Sequence, residues 1–320
     1  MIRPLASGFS RRPKSQLSVE PSRAELTIVI HRLFERKRLA MSLPWKHQPP
    51  RTVFISGGGS GIGREMAQQL AREGAHIALI NRKLAPQVVA ELRALALRAD
   101  QRFESYSADV SDDVALQQVI QQAVQDLGAP DLAINSAGMQ IAKPFEELSA
   151  AEFGRVIQVN LIGSRNFAAA VFPHLSQGAH LVLVASLAGL VGNFAYAAYC
   201  ASKYGTVGLA EVLRIEWRLK GIDVSVCCPG EIDTPLMQEE RRTLHPVSAA
   251  MKGFAGCLTV GPACRAMLQG IARREFEIVP GFRPKLTVFL SRHLGGLARG
   301  VADGIAAKAF KAFKRTLSKA

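Results

Sequence analysis

The sequence predicts a single doubly wound α/β domain, with a parallel sheet of about seven strands and helices on both faces. Three observations carry this. From residue 51 onward, short β-branched and aromatic runs alternate with helical patterns. The first run, RTVFIS, passes through a glycine-rich turn into a helical stretch, EMAQQLAREG, and then a second strand pattern, HIALI. That order suits a phosphate-binding βαβ unit, because glycines allow a tight turn and the helix N-terminus offers free N–H groups. Finally, 48% of the 320 residues are hydrophobic and 21% charged, as in a globular chain with a full core.

The formal net charge of +14 is unevenly placed. Residues 1–51 carry eleven Lys and Arg against three acids, and residues 283–320 carry nine against one, so each end is +8. The stretch between them is −2. Basic ends suit an anionic contact such as a membrane surface, and they do not indicate a nucleic-acid enzyme. Cys200, Cys227, Cys228, Cys257 and Cys264 show no ligand-pair spacing, which fits reduced thiols in a cytoplasmic compartment. The seven histidines form no metal-binding pattern, so no metal is expected. No apolar run approaches the ~20 residues that span a bilayer, and no secretory signal is evident.

Taken in order, residues 1–50 form a basic leader. It reads as a disordered segment, a transit peptide, or an upstream extension before a true start at Met41. A short helix is expected over 26–39. Residues 51–281 form the α/β domain. Its later strands are FESYSA, DLAI, LVLVA, a sixth before Pro229, and FEIVPG at 276–281. Helices are expected over 85–99, 113–126, 149–174 and 199–219.

Ser186 closes the LVLVA strand, and Tyr199 and Lys203 lie four apart, on one face of a helix. A phenol titrates near pKa ~10, too high for acid–base work at neutral pH. A neighbouring ammonium favours the phenolate and lowers that value. A nearby hydroxyl can hydrogen-bond a carbonyl oxygen. Such a set moves one proton on or off a carbonyl or alcohol oxygen. Tyr-x-x-x-Lys alone is common on exposed helices, so its weight rests on its company. Cys200 beside it reads as a packing residue.

The glycines stand as G-x-x-x-G-x-G at Gly57, Gly61 and Gly63. With Ser186, Tyr199 and Lys203, they make residues 51 to about 280 resemble the short-chain dehydrogenase/reductase family, a Rossmann fold. Asp109 in SADVSD, Asn135 in NSAG, Asn160 in QVNLIGS and the PGEIDT loop fall at the family's expected places. Ser56, where threonine is usual, and Ala185, where a second serine often sits, are mild departures. The resemblance implies catalysis by Asn160, Ser186, Tyr199 and Lys203. It implies dinucleotide contacts at Gly57, Ser60, Gly61, Ile62, Gly63, Arg82, Asp109, Val110, Asn135, Ala137, Gly138, Tyr199, Lys203, Pro229, Gly230, Ile232 and Thr234. It also implies a homo-oligomer. Members that prefer NAD carry an acid after the second strand; this chain has Asn81-Arg82-Lys83, so NADP(H) is expected, unless Arg82 is only a solvated charge.

After Thr234, the residues Leu236, Met237, Met251, Phe254 and Leu258 would suit an acyl or alkyl chain, or would be helical core. DTP followed by EE, and the AGLVGNFAYAAY lead-in, resemble the 3-ketodihydrosphingosine reductase-like branch. Residues 282–320 form a basic amphipathic extension. Over 301–317, Val301, Ala302, Ile305, Ala306, Ala309, Phe310, Phe313 and Leu317 fill one half of the helical wheel; Lys308, Lys311, Lys314 and Arg315 fill the other. That pattern suits a peripheral membrane anchor, a helix docked on a partner, or a disordered tail. The expected function is NADP(H)-dependent interconversion of a ketone and a secondary alcohol on a long-chain 3-oxo lipid, in the cytoplasm or peripherally on the inner membrane surface. The alternatives are a dehydrogenase of small soluble alcohols and a non-catalytic dinucleotide sensor.

Overall fold

The structure is a computed structural model that describes residues 43–317 apart from Phe254, with only the backbone of Leu317. The expectations for the leader over 1–42 lie outside the described residues. In the rest, β1 (Thr52–Ser56), β2 (His76–Asn81), β3 (Phe103–Ser107), β4 (Leu132–Asn135), β5 (His180–Val184) and β6 (Asp223–Cys227) alternate with helices. A two-stranded pair, β7 (Glu231–Ile232) and β8 (Cys257–Leu258), precedes β9 (Glu277–Ile278). The seven-stranded sheet runs β3-β2-β1-β4-β5-β6-β9, every pair parallel. This is the doubly wound, Rossmann-like fold expected from the sequence.

Strand alternation builds two cores. Val53, Ile55, Ile77, Leu79, Val182 and Val184 face one side; Phe54, Ala78, Ile80, Leu181 and Leu183 face the other. The first side is covered by α1 (Gly61–Arg72), α2 (Pro86–Ala94) and a later helix over residues 260–272. The second is covered by α3 (Asp113–Leu127), α5 (Gly163–Val171) and α6 (Ala197–Arg218), while α4 (Ala150–Ile157) packs along α6. Strands buried on both faces explain the near-continuous apolar runs in the sequence. The helix expected over 85–99 stops at Ala94; Leu95 at its end still packs on the first core, and Leu97 beyond it is exposed. The last strand shrinks to two residues, since only Val226 and Cys227 of β6 pair with it.

Four helices complete the C-terminal side: α7 (Pro235–Arg241), α8 (Pro246–Lys252), α9 (Val260–Ala272) and α10 (Phe282–His293), followed by α11 (Gly295–Leu317). Pro284 and Val288 of α10 are buried. The longer α11 packs along α8. Its part-buried stripe is Ala302, Ile305, Ala306, Ala309 and Phe313, while Val301 and Phe310 stay exposed. Most of the apolar half-wheel is therefore turned onto the chain itself.

The chain leaves β1 towards β2 and β3, then returns to place β4 on the other side of β1. At that reversal, the ends of β1 and β4 are close. Gly57 has φ +68°, and a Cβ there would lie 2.7 Å from the Ala137 backbone nitrogen. Replacing Gly57 with Ala should therefore lower stability by about 2–4 kcal/mol, from left-handed strain plus overlap with backbone, as read by urea unfolding. Unfolding within 0.5 kcal/mol of wild type would contradict this crowding.

Candidate active site

Of the sequence-predicted dinucleotide residues, Gly57, Ser60, Arg82, Asp109, Val110, Ala137, Gly138, Pro229, Gly230 and Thr234 lie on the segments that follow the C-terminal ends of β1, β2, β3, β4 and β6. Gly61, Ile62 and Gly63 open α1, Asn135 ends β4, Ile232 is in β7, and Tyr199 and Lys203 are in α6. In open parallel sheets, ligands bind at that edge, where the strand order reverses. The turn after β1 is shaped for close approach. A Cβ on Gly63 would fall 2.4 Å from the Gly57 carbonyl oxygen, so only glycine lets α1 start there. Ser60 precedes α1 in extended conformation, its hydroxyl makes no cap bond, and the first turn of α1 holds no acid. The helix N-terminus thus remains available to an anion. Opposite it, a Cβ on Gly61 would sit 3.5 Å from Thr234, so the loop after β6 closes over the glycine turn.

Asn81 braces this turn by accepting the Gly59 N–H on Oδ1 (2.8 Å), and its Nδ2 is buried without a partner. Arg82 beside it is exposed, and no described residue pairs with its guanidinium. Asp109 accepts the N–H and hydroxyl of Ser111 on Oδ1 (2.9 and 2.7 Å), which leaves its second oxygen free. Asn135 and Ile232 use their side chains internally. Asn135 accepts from Ser56 and donates to Ser164 Oγ (2.8 Å), and Ile232 is buried in the first core. Val110 is likewise packed, beneath Gly163. Those three offer a ligand backbone only. Glycine cradle, free helix N-terminus and orphaned Asn81 donor together fit a nicotinamide dinucleotide.

The groups expected to handle the proton converge through Asn160. It sits in a π-helical turn, Gln158–Ile162, between α4 and α5, and is fully buried. Its Oδ1 accepts the Met139 N–H (2.8 Å), and its Nδ2 donates to the Met139 carbonyl (2.9 Å) and to Ser202 Oγ (3.0 Å). Ser202 in turn donates to the Tyr199 carbonyl (2.7 Å). A Cβ on Gly138 would lie 3.4 Å from Asn160 Oδ1 and 3.6 Å from Lys203 Nζ. Asn160, Gly138 and Lys203 are therefore neighbours. Ser186 starts a short turn, Leu187–Gly189, accepts the Ala188 N–H (3.1 Å) and is hydrogen-bonded to Tyr199. The Pro229 carbonyl accepts the Leu187 N–H (2.7 Å), which ties this turn to the loop after β6.

Burial dominates the electrostatics. It pushes the Tyr199 phenol up to about 12, against the lowering effect of its Ser186 hydrogen bond. It pushes the Lys203 ammonium down to about 8. The sequence led us to expect Lys203 to lower the phenol. Here Nζ donates instead to the Val184 carbonyl (2.9 Å) and lies 5.7 Å from the Tyr199 ring centroid, so desolvation prevails. The Cys200 thiol is also raised by burial, in keeping with a packing residue.

Three contributors escaped sequence reasoning. Ser202 links Asn160 to Tyr199. Asn81, read only as a missing acid, braces the glycine turn. Gly189 lets the Ser186 turn touch α6, since a Cβ there would lie 2.7 Å from the Lys203 carbonyl oxygen. Among the apolar candidates after Thr234, Leu258 packs on the first core, Leu236 is exposed, and Met237 Sδ meets Lys252 Nζ (3.6 Å). Phe254 lies outside the described residues.

Residues 51–245 match the family model described as short chain dehydrogenase. The chain belongs to the short-chain dehydrogenase family. A "3-ketodihydrosphingosine reductase" of Dictyostelium discoideum is 31% identical over 83% of this chain and 84% of its own length. A "3-dehydrosphinganine reductase" of Danio rerio is 36% identical over 60% of this chain and 59% of its own. A crystal structure of a dehydrogenase/reductase from Sinorhizobium meliloti 1021 superposes with a TM-score of 0.64 at 26% identity, covering 78% of this chain and 99% of that one. This short-chain dehydrogenase is therefore an oxidoreductase of CH–OH and ketone groups, of the 3-ketodihydrosphingosine reductase-like branch, with a nicotinamide dinucleotide cofactor.

The lowered Lys203 value has a consequence for stability without dinucleotide. Between pH ~8 and ~10.4 the unfolded lysine binds more protons than the folded one, so stability rises with pH across that window. Relative to Lys203→Met, the wild-type dehydrogenase should gain about 2–3 kcal/mol from pH 8 to 10 in denaturant unfolding. A constant difference would show that the ammonium is not desolvated.

Proposed function

We propose that this dehydrogenase uses NADP(H) to reduce a long-chain 3-oxo lipid, of the 3-ketosphinganine or 3-oxoacyl kind, to its secondary alcohol. The observation that carries the cofactor choice is the unpaired Arg82 guanidinium after β2, beside the orphaned Asn81 donor and with no carboxylate in the Asn81-Arg82-Lys83 run. A 2′-phosphate there would gain a charge-assisted pair, whereas an acid would repel it. The substrate class is supported by the sphingoid-base reductase names of the relatives.

Bound NADPH supplies the hydride. The protein's own groups handle the oxygen. Ser186 holds the carbonyl oxygen by hydrogen bond, and Tyr199 donates its proton to that oxygen as negative charge develops. A raised phenol pKa keeps the proton in place until then. Lys203 binds the nicotinamide ribose and, once a ligand draws Nζ towards it, favours the phenolate left behind. Asn160 supports the relay that returns a proton to Tyr199.

A lipid substrate suits a peripheral membrane contact from the cytoplasmic side. Phe282, Phe289, Leu294, Leu297 and Val301 are exposed along α10 and α11, within the stretch that carries nine cations against one acid. No helix among the described residues is long and apolar enough to cross a membrane. A homo-oligomer follows from the family resemblance.

Two outcomes test the reading. Tyr199→Phe should lower turnover of 3-ketosphinganine in mixed micelles by about 10²–10⁴-fold, with NADPH binding unchanged by fluorescence titration; turnover near wild type removes Tyr199 from the chemistry. Arg82→Ala should raise the KM for NADPH about tenfold or more and leave that for NADH alone. Equal effects on both would mean that Arg82 is only a solvated charge.

A further inference from the structure

Tyr199 is the third residue of α6, and no side chain caps that helix's start. A first turn without a cap is prone to fray, yet the phenol must be held to a fraction of an ångström. The preceding residues 193–196 form a turn in which Ala195 has φ +63°. An alanine persists in the left-handed region only where its surroundings fix it.

Those surroundings come from the far C-terminal side and from the segment after β4. Ser248 of α8 donates to the Phe194 carbonyl (2.7 Å), and Lys143 N–H donates to the Ala195 carbonyl (2.9 Å). The Phe194 ring packs on His245 at 4.8 Å, and His245 meets Phe313 of α11 edge-on, also at 4.8 Å. At the other end of α8, Lys252 Nζ lies 5.1 Å from the centroid of the Tyr196 ring, which meets Tyr199 edge-on at 5.9 Å. The chain of rings thus runs from the C-terminal helix to the turn that delivers Tyr199.

We propose that His245 and Phe313 are positioning residues for Tyr199: through the Phe313–His245–Phe194 stack, α11 and α8 clamp residues 193–196 and so fix the first turn of α6. The proposal rests on Tyr199 being the proton donor. The apolar stripe of α11 is then part of the catalytic framework rather than a free anchor. Its exposed Lys308 and Lys311 and the exposed residues Leu297 and Val301 remain available to other contacts.

The test uses the full chain and reads both catalysis and local opening. His245 Nδ1 also accepts the Val247 N–H (3.2 Å), so His245→Asn removes the ring yet keeps a cap acceptor. Phe313→Ala and His245→Asn should each lower kcat about tenfold, leave the KM for NADPH within about twofold, and speed hydrogen exchange of the 194–199 amides. Phe313→Tyr, which keeps the ring, should restore wild-type values for both. Unchanged kcat and exchange in Phe313→Ala overturn the proposal. So does faster exchange confined to α11 with kcat preserved. If the wild type turns over no ketone offered, the functional reading fails separately, and the exchange of residues 194–199 decides the clamp alone.

Discussion

The buried side chain of Asn160 ties three distant parts of the chain together, and the placing of the proposed proton-handling groups depends on it. Its amide satisfies both backbone groups of Met139, after β4, and reaches Ser202 in α6. Its own carbonyl accepts from Ser164, which accepts from Asn135, which in turn accepts from Ser56 at the end of β1. One continuous set of buried hydrogen bonds therefore runs from the glycine turn to the helix of Tyr199 and Lys203. Buried polar groups cost about 1–3 kcal/mol each when left unpaired, so the set holds as a unit. The π-helical turn at Gln158–Ile162 is the local deviation that presents Asn160 to these partners.

The same burial sets the charges. Desolvation raises Tyr199 and lowers Lys203, so both are biased towards their neutral forms. A neutral, protonated phenol is the form that can give a proton to a developing alkoxide. An ammonium whose only described acceptor is the Val184 carbonyl gains by meeting further acceptors, such as ribose hydroxyls. Glycines at positions 57, 63 and 189 permit this density, because each faces backbone where a Cβ would intrude.

The C-terminal helices join the site by another route. An amphipathic helix must cover its apolar stripe with something. In α11 much of that stripe lies against α8, and the aromatic contact at its end reaches the Ala195 turn. The outward face keeps the positive charge. One helix thereby serves packing on one side and offers a basic surface on the other.

The sequence alone determined the doubly wound sheet, since alternating strand and helix patterns with apolar runs leave few other ways to bury both faces. It also singled out Ser186, Tyr199, Lys203, Asn160 and the glycine turn as candidates, because these sit at fixed spacings within single elements or directly after strands. Local spacing, however, says nothing about which side chains meet across the fold. Ser202, Gly189 and Asn81 were unremarkable as letters, and only the approach of α5, α6 and the β1 turn gave them work. The end of α2, the direction of the Lys203 ammonium and the inward stripe of α11 were likewise decided by tertiary packing. Each depends on what the neighbouring element leaves exposed or desolvated, and that is a property of three dimensions.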